Sequence, residues 1–318
     1  MIKIYTILWF VMLITPCVSQ EKSTVNTIEN YVSLAYEVKA LLGEGAIWNY
    51  KTDELYWIDI EGKQLHIYHP KTNQNRSFPT TSHIGTVVPK NNDEVLIALV
   101  DGIHTMNINS GKTEVLAHMT DLLPNARLND GKCDPSGRLW VGSMHWQQVQ
   151  GQAKLFSIQS DGSVLTKMDG VTISNGIVWT KDKKTMYYID TPTSQIKAYD
   201  YDNATGAITN ERVAVDIPVD LGYPDGMTID EDDMVWVGMW NGNAVIRCNP
   251  KTGVVLQKIE VPAHNITSCA FGGPNLETLY ITTATIDMTD EELTKYPLAG
   301  SIFKVNPGVK GVRSHFFK

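Results

Sequence analysis

Six times along the chain a polar turn leads into an apolar strand segment, and four of these copies set a carboxylate or amide directly before glycine: Glu44-Gly45, Asp130-Gly131, Asn175-Gly176 and Asp225-Gly226. Weaker copies begin near Gly85 and Ser268. The strand segments that follow include Leu55-Tyr56-Trp57-Ile58, Leu139-Trp140-Val141 and Met234-Val235-Trp236-Val237. Copies start roughly 40 to 50 residues apart, the period of a four-stranded propeller blade. Helical periodicity is scarce, and only Asp287 to Tyr296 reads as a short helix. The pattern predicts an all-β chain folded as a six-bladed β-propeller with a metal site at the central channel. The strand-like stretch Val32 to Lys39 is expected to close the last blade by pairing with C-terminal strands. Such pairing would remove an open sheet edge.

A blade's innermost strand lines the channel. If the same position of each copy lies at the mouth of that strand, Glu44, Asn175 and Asp225 meet at the axis from three blades. Oxygen donors without Cys or His suit a hard cation. Ca²⁺ is expected first, ahead of Zn²⁺, Mn²⁺ or Mg²⁺. The glycines are expected to let the backbone turn tightly and to leave room for a ligand. A D-G or N-G pair also marks an ordinary hairpin turn, but recurrence at the start of a strand favours a channel-mouth site.

The bulk numbers exclude several classes. The 318 residues carry a net charge of -8, which opposes nucleic-acid binding. Composition is that of an ordinary globular protein, with 42% hydrophobic and 19% charged residues. Lys3, the apolar run Ile4 to Ile14, Pro16 and Cys17-Val18-Ser19 predict a signal peptide over residues 1–19. An extension over 20–34 and a propeller over 35–318 would follow. The run is too short to anchor the chain in a bilayer, so secretion to the extracellular space is expected, as a monomer. Sequons at Asn75, Asn203 and Asn265 are candidate glycosylation sites, Asn203 foremost because it lies in a turn-like Asp-Asn-Ala-Thr-Gly run. Cys133, Cys248 and Cys269 show no CxxC spacing and allow at most one disulfide, and Cys133 and Cys269, at related places in inner-strand segments, read as buried small hydrophobes. His83, His104 and His145 read as loop histidines. The chain has no G-x-S-x-G, H-E-x-x-H, Walker A or G-x-G-x-x-G signature. Metal-assisted chemistry on a small molecule, or binding without chemistry, remains.

Six motifs in order resemble the regucalcin/gluconolactonase family, which includes the luciferin-regenerating enzymes. They are Gly43-Glu44-Gly45-Ala46-Ile47-Trp48, Ala126-Arg127-Leu128-Asn129-Asp130-Gly131-Lys132, Ile173-Ser174-Asn175-Gly176, Met186-Tyr187-Tyr188-Ile189-Asp190, Tyr223-Pro224-Asp225-Gly226 and Ala270-Phe271-Gly272-Gly273-Pro274-Asn275. The resemblance implies a propeller with one axial divalent cation and hydrolysis of sugar lactones. It makes Glu44, Asn175 and Asp225 the metal ligands, Asp225 also the general base, and Arg127 and Asn129 substrate contacts. In vertebrate regucalcins an acidic residue in a longer loop follows the position of Gly142-Ser143-Met144; here the loop is His145-Trp146-Gln147-Gln148-Val149-Gln150. Gln147 is the substrate contact expected in its place, with a pocket less suited to a hydroxyl-rich ring. The expected function is a secreted, divalent-metal-dependent lactonase. The alternatives are a regucalcin-like calcium-binding protein without catalysis, or a luciferin-regenerating or other esterase on the same site.

Overall fold

The computed structural model describes residues 31–318 as six four-stranded antiparallel sheets arranged as the blades of a propeller. The innermost strands, blade 1 to blade 6, are Gly43–Asn49, Ile84–Pro89, Ala126–Cys133, Ser174–Trp179, Tyr223–Ile229 and Asn265–Gly272. Blades 1 to 5 are each built from four consecutive strands. Blade 6 takes its outermost strand, Ser33–Tyr36, from the start of the described chain, paired with Ile302–Val305. This is the closure expected from the strand character of 32–39. The expected short helix is Asp290–Lys295, capped by Thr289 and Glu292 in a reciprocal pair of bonds.

Every inner strand slips register against its neighbour at the repeated motif. The slips lie between Glu44 and Ile47, Ile84 and Thr86, Leu128 and Gly131, Ser174 and Ile177, Pro224 and Met227, and Ile266 and Ser268. A bulge re-aims side chains at one point of a strand without ending it, so the repeat encodes a recurrent kink at the channel. Gly45, at φ 61°, makes the tight backbone turn expected of it, whereas Gly176 and Gly85 serve close packing. A Cβ on Gly176 would stand 2.9 Å from the Asp225 carbonyl oxygen, and one on Gly85 would stand 2.4 Å from that of Leu128. These glycines admit the next blade's inner strand, and space for a ligand is not what they provide.

Between blades the core is aliphatic and aromatic, with Trp57, Trp140 and Trp236 wholly buried. Two of these indoles are held by buried carboxylates: Trp140 Nε1 donates to Asp134 Oδ2 at 2.9 Å and Trp236 Nε1 to Asp230 Oδ2 at 3.0 Å. Asp134 also accepts from Arg138 Nε at 2.7 Å and Asp230 from Arg247 Nε at 2.8 Å, so neither charge is left unpaired. Cys133 and Cys269 are buried, as expected, and so is Cys248; among the described residues none of the three forms a disulfide. The C-terminal tail crosses one end of the propeller and ties blades together: Ser314 Oγ donates to the Trp48 carbonyl, Phe317 N–H to Pro89 and Lys318 N–H to Gly137. No described helix is long and apolar enough to span a membrane. Residues 1–19 and most of the 20–34 extension lie outside the described residues.

Candidate active site at the propeller axis

The end of the channel opposite the tail opens into a cavity of about 640 Å³. Its wall contains Glu44, Arg127, Asn129, Asn175 and Asp225, contributed by blades 1, 3, 4 and 5. All five are buried. Carboxylates at the ends of second strands hold the approach to two of these positions. Asp59 accepts from the Leu41 and Leu42 N–H groups ahead of Glu44, each at 3.0 Å. Asp190 accepts from Thr172 and Ile173 ahead of Asn175.

The polar side chains form a chain of bonds across three blades. Arg127 Nη1 donates to Asn129 Oδ1 at 2.6 Å, Asn129 Nδ2 donates to Asn175 Oδ1 at 2.9 Å, and Asn175 Nδ2 donates to Thr191 Oγ1 at 2.7 Å. Thr191 Oγ1 donates to the Pro224 carbonyl, one residue before Asp225, at 2.7 Å. Asn129 gives its remaining amide hydrogen to the Ser174 carbonyl at 2.7 Å. Both of its N–H groups are thereby engaged inside the protein, and Asn129 orients Arg127 and Asn175. The same bonds fix the amide of Asn175 with Oδ1 keeping one lone pair free of them.

Electrostatics at the axis are those of crowded acid. Burial first, and then the neighbouring Asp130, push the Glu44 carboxyl up to about 8, against the pull of the Gly45 N–H and Arg127. Burial and the charges of Glu44 and Asp130 push Asp225 well above the usual carboxylate range. Glu44 and Asp225 are close enough for each to bear directly on the other's ionisation, an arrangement that a shared proton or a cation stabilises. Asp130 Oδ2 is buried without a partner. Burial also lowers Arg127 to about 10, and among the described residues its guanidinium forms no ion pair with a carboxylate. Its charge is therefore available to a ligand.

The donor set tests the expected cation. Two carboxylates that repel each other and a carbonyl oxygen with a free lone pair are hard oxygen donors, and the charge deficit favours a divalent ion. Among the described residues no three His, Cys, Asp or Glu side chains converge on one point. Glu44, Asp225 and Asn175 thus fit such an ion only with solvent completing the shell.

Two expectations for individual residues do not hold. Gln147 is absent from the cavity wall, which Trp146 and Gln148 line instead. The tight turn from His145 to Gln148, closed by Gln148 N–H to His145 O at 2.8 Å with Gln148 at φ 53°, points the loop one residue out of phase with the expectation. Asn265 is wholly buried at the start of the blade 6 inner strand, and its Nδ2 donates to the Ile286 carbonyl at 2.9 Å. The fold therefore leaves no outlet for a glycan there. Asn75 is engaged with Trp57, His66 and Ser77, whereas Asn203 uses only its oxygens, toward Ser136 and Arg138.

Comparison with known proteins places this geometry. The profile of the SMP-30/Gluconolactonase/LRE-like region matches residues 42–285. The chain belongs to this family. A Bacillus subtilis relative, provisionally named a sugar lactone lactonase, is 39% identical over 85% of this chain and 92% of its own. Regucalcin of Danio rerio is 38% identical over 88% of this chain and 96% of its own. Among solved structures, a luciferin-regenerating enzyme superposes with a TM-score of 0.82 at 30% identity, over 91% of this chain and 99% of that one. Regucalcin of Agrobacterium tumefaciens, described as a calcium-binding protein, superposes with a TM-score of 0.85 at 27% identity, over 90% and 96%. Family membership and the six-bladed fold thus agree with the sequence motifs.

Sequence reasoning missed the side chains on the rim. Glu61, in the hairpin after the second strand of blade 1, lines the cavity. His83, in the loop before blade 2, bonds to it at 3.2 Å through Nε2 and meets the Trp146 ring edge-on at 4.8 Å between centroids. Glu61 falls outside the repeat register, so no spacing signal could have found it, and His83, read from sequence as a loop histidine, stands in a loop at the rim.

Proposed function

We propose that this chain is a secreted, divalent-cation-dependent lactonase acting on a sugar lactone. The observation that carries the reading is the meeting of Glu44 and Asp225 from separate blades at the floor of a cavity that also presents Arg127. Glu44, Asn175 and Asp225 would hold the cation, Ca²⁺ first among the hard ions. When bound, it supplies Lewis acidity toward the lactone carbonyl and offsets the paired acids. Asp225, at the cavity floor beside Glu44, is placed to take a proton from water adding to the carbonyl carbon. As the ring C–O bond breaks, that proton passes to the departing alkoxide and a hydroxy acid leaves. Arg127 offers planar donors to substrate oxygens, with Asn129 holding its position.

The test is hydrolysis of D-glucono-1,5-lactone followed by acid release, before and after chelation, with Ca²⁺, Mg²⁺, Mn²⁺ and Zn²⁺ added back. Turnover that falls at least about tenfold on chelation and returns with one ion is the expected result. Cation binding without turnover of any lactone would leave a calcium-binding protein, the property named for the Agrobacterium relative.

Secretion rests on the apolar leader alone. N-terminal sequencing of protein recovered from the medium of insect cells should begin at Gln20 or within a few residues of it. Loss of mass on deglycosylation should map to Asn203. An intact Met1, or retention of the full chain in the cytosol, would overturn the localisation.

A further inference from the structure

The rim of the cavity carries an acidic side chain that the repeat does not account for. Glu61 Oε2 is bonded to His83 Nε2 at 3.2 Å, with the two side chains 30% and 24% exposed. His83 packs against Trp146, and the Arg127 guanidinium lies 5.6 Å from the centroid of the Trp146 ring. Trp146 is itself tied down by its N–H to the Asn125 carbonyl at 2.9 Å, at the root of the strand that carries Arg127. Side chains from blade 1, the loop before blade 2 and blade 3 are thereby linked in one continuous wall. Glu61 is also the carboxylate whose charge bears most on Arg127, although the two form no ion pair. A ligand oxygen can therefore stand between them.

A half-exposed His–Glu pair on an open surface contributes little. This one borders a cavity, keeps carboxylate lone pairs free of His83, and faces a region where Arg127 offers only donors. A hydroxyl is the ligand group that satisfies both, because it donates to the carboxylate and accepts from the guanidinium. An alkyl carbon there would strip water from two charged groups and return nothing.

We propose that Glu61, held by His83, is a specificity-determining residue of this cavity that accepts a hydrogen bond from a hydroxyl of a polyhydroxylated substrate, beside the oxygens bound by Arg127. The assignment rests on the sugar-lactone reading and deepens it. It also replaces the expectation that the pocket disfavours hydroxyl-rich rings: the acidic partner that the 145–150 loop lacks is supplied from blade 1.

Wild type and Glu61→Gln are compared on D-glucono-1,5-lactone and on δ-valerolactone, which has the same ring ester and no hydroxyl. The kcat/KM ratio of the first substrate to the second is expected to fall by about tenfold in Glu61→Gln, mainly through KM for gluconolactone. His83→Phe, which keeps an aromatic ring against Trp146 and cannot bond to Glu61, should shift the ratio the same way by a smaller factor. An unchanged ratio in Glu61→Gln overturns the assignment, as does a wild type that hydrolyses both lactones without preferring gluconolactone; in either case the lactonase reading survives. If wild type hydrolyses neither, the lactonase reading fails and D-sorbitol titrated against tryptophan fluorescence decides the role of Glu61. Saturable binding weakened about tenfold in Glu61→Gln supports it, while absent or equal binding overturns it.

Discussion

Asp225→Asn should abolish lactone turnover while making the cation-free protein more heat-stable. The side chain keeps its volume, so the blade 5 inner strand and the contacts of Gly226 with Ser268 are preserved. Loss of the general base alone costs roughly 10²- to 10⁴-fold in rate, and loss of one carboxylate from the cation's donor set adds to this. The stability gain arises because burial, and then the charges of Glu44 and Asp130, raise the cost of ionising Asp225. An amide at position 225 cannot ionise and carries no such cost. Steady-state kinetics with saturating Ca²⁺, calcium titration calorimetry and thermal melts under chelation give the three readouts. Unchanged calcium affinity would remove Asp225 from the cation site. A lower melting temperature would show that the carboxylate pair is not a source of strain. Asn175→Ala should weaken calcium binding without the stability gain, since it removes an oxygen donor and no charge.

The propeller was legible because its information is periodic. Six copies of one kinked strand at a blade's spacing are visible without any knowledge of packing, and the channel positions of Asn175 and Asp225 follow from a shared place in the bulge. Glu44, by contrast, is ladder-paired just before its bulge, and blade 3 presents Asn129 to the cavity in place of Asp130. Other features depend on what arrives from elsewhere in the chain. A sequon is a local pattern, but burial of Asn265 is decided by its place at the head of an inner strand and by the Ile286 carbonyl beside it. Gln147 and Gln148 are adjacent and chemically equal, and which one reaches the cavity depends on a single turn with a left-handed residue. The glycines were visible as glycines, but the strand that approaches each of them belongs to the next blade, some 45 residues away in the Gly85 and Leu128 case. Glu61 and His83 lie in loops without periodicity, and only the side-by-side packing of blades 1 to 3 brings them to the rim with Trp146.

The cation-free protein should lose stability as pH rises, and calcium should restore it only at the alkaline end. Glu44 in the folded chain titrates at about 8, against 4.5 as its ordinary value. Between those limits the folded state keeps a proton that the unfolded chain has released. Folding is then favoured at low pH and this contribution is lost as pH climbs through the window. Asp225 shifts in the same direction, so the pair acts together. A divalent ion replaces the proton, and its apparent affinity must therefore rise with pH over the same interval. Under chelation the melting temperature should fall by roughly 5 °C between pH 5 and pH 8.5, a size set by a few kcal/mol in a chain this long. Millimolar Ca²⁺ should recover most of that loss at pH 8.5 and little at pH 5. Glu44→Gln isolates the share of Glu44, because an amide cannot titrate: its chelated profile should be shallower than that of wild type, the remaining slope belonging to Asp225, with a smaller response to calcium. An equal calcium shift in wild type at both pH values would mean that the ion binds away from these two carboxylates. A wild-type profile that rises with pH would mean that the axial acids are ionised and stabilised by Arg127 and Lys132 without a cation, which would leave the donor set with no charge deficit for an ion to fill.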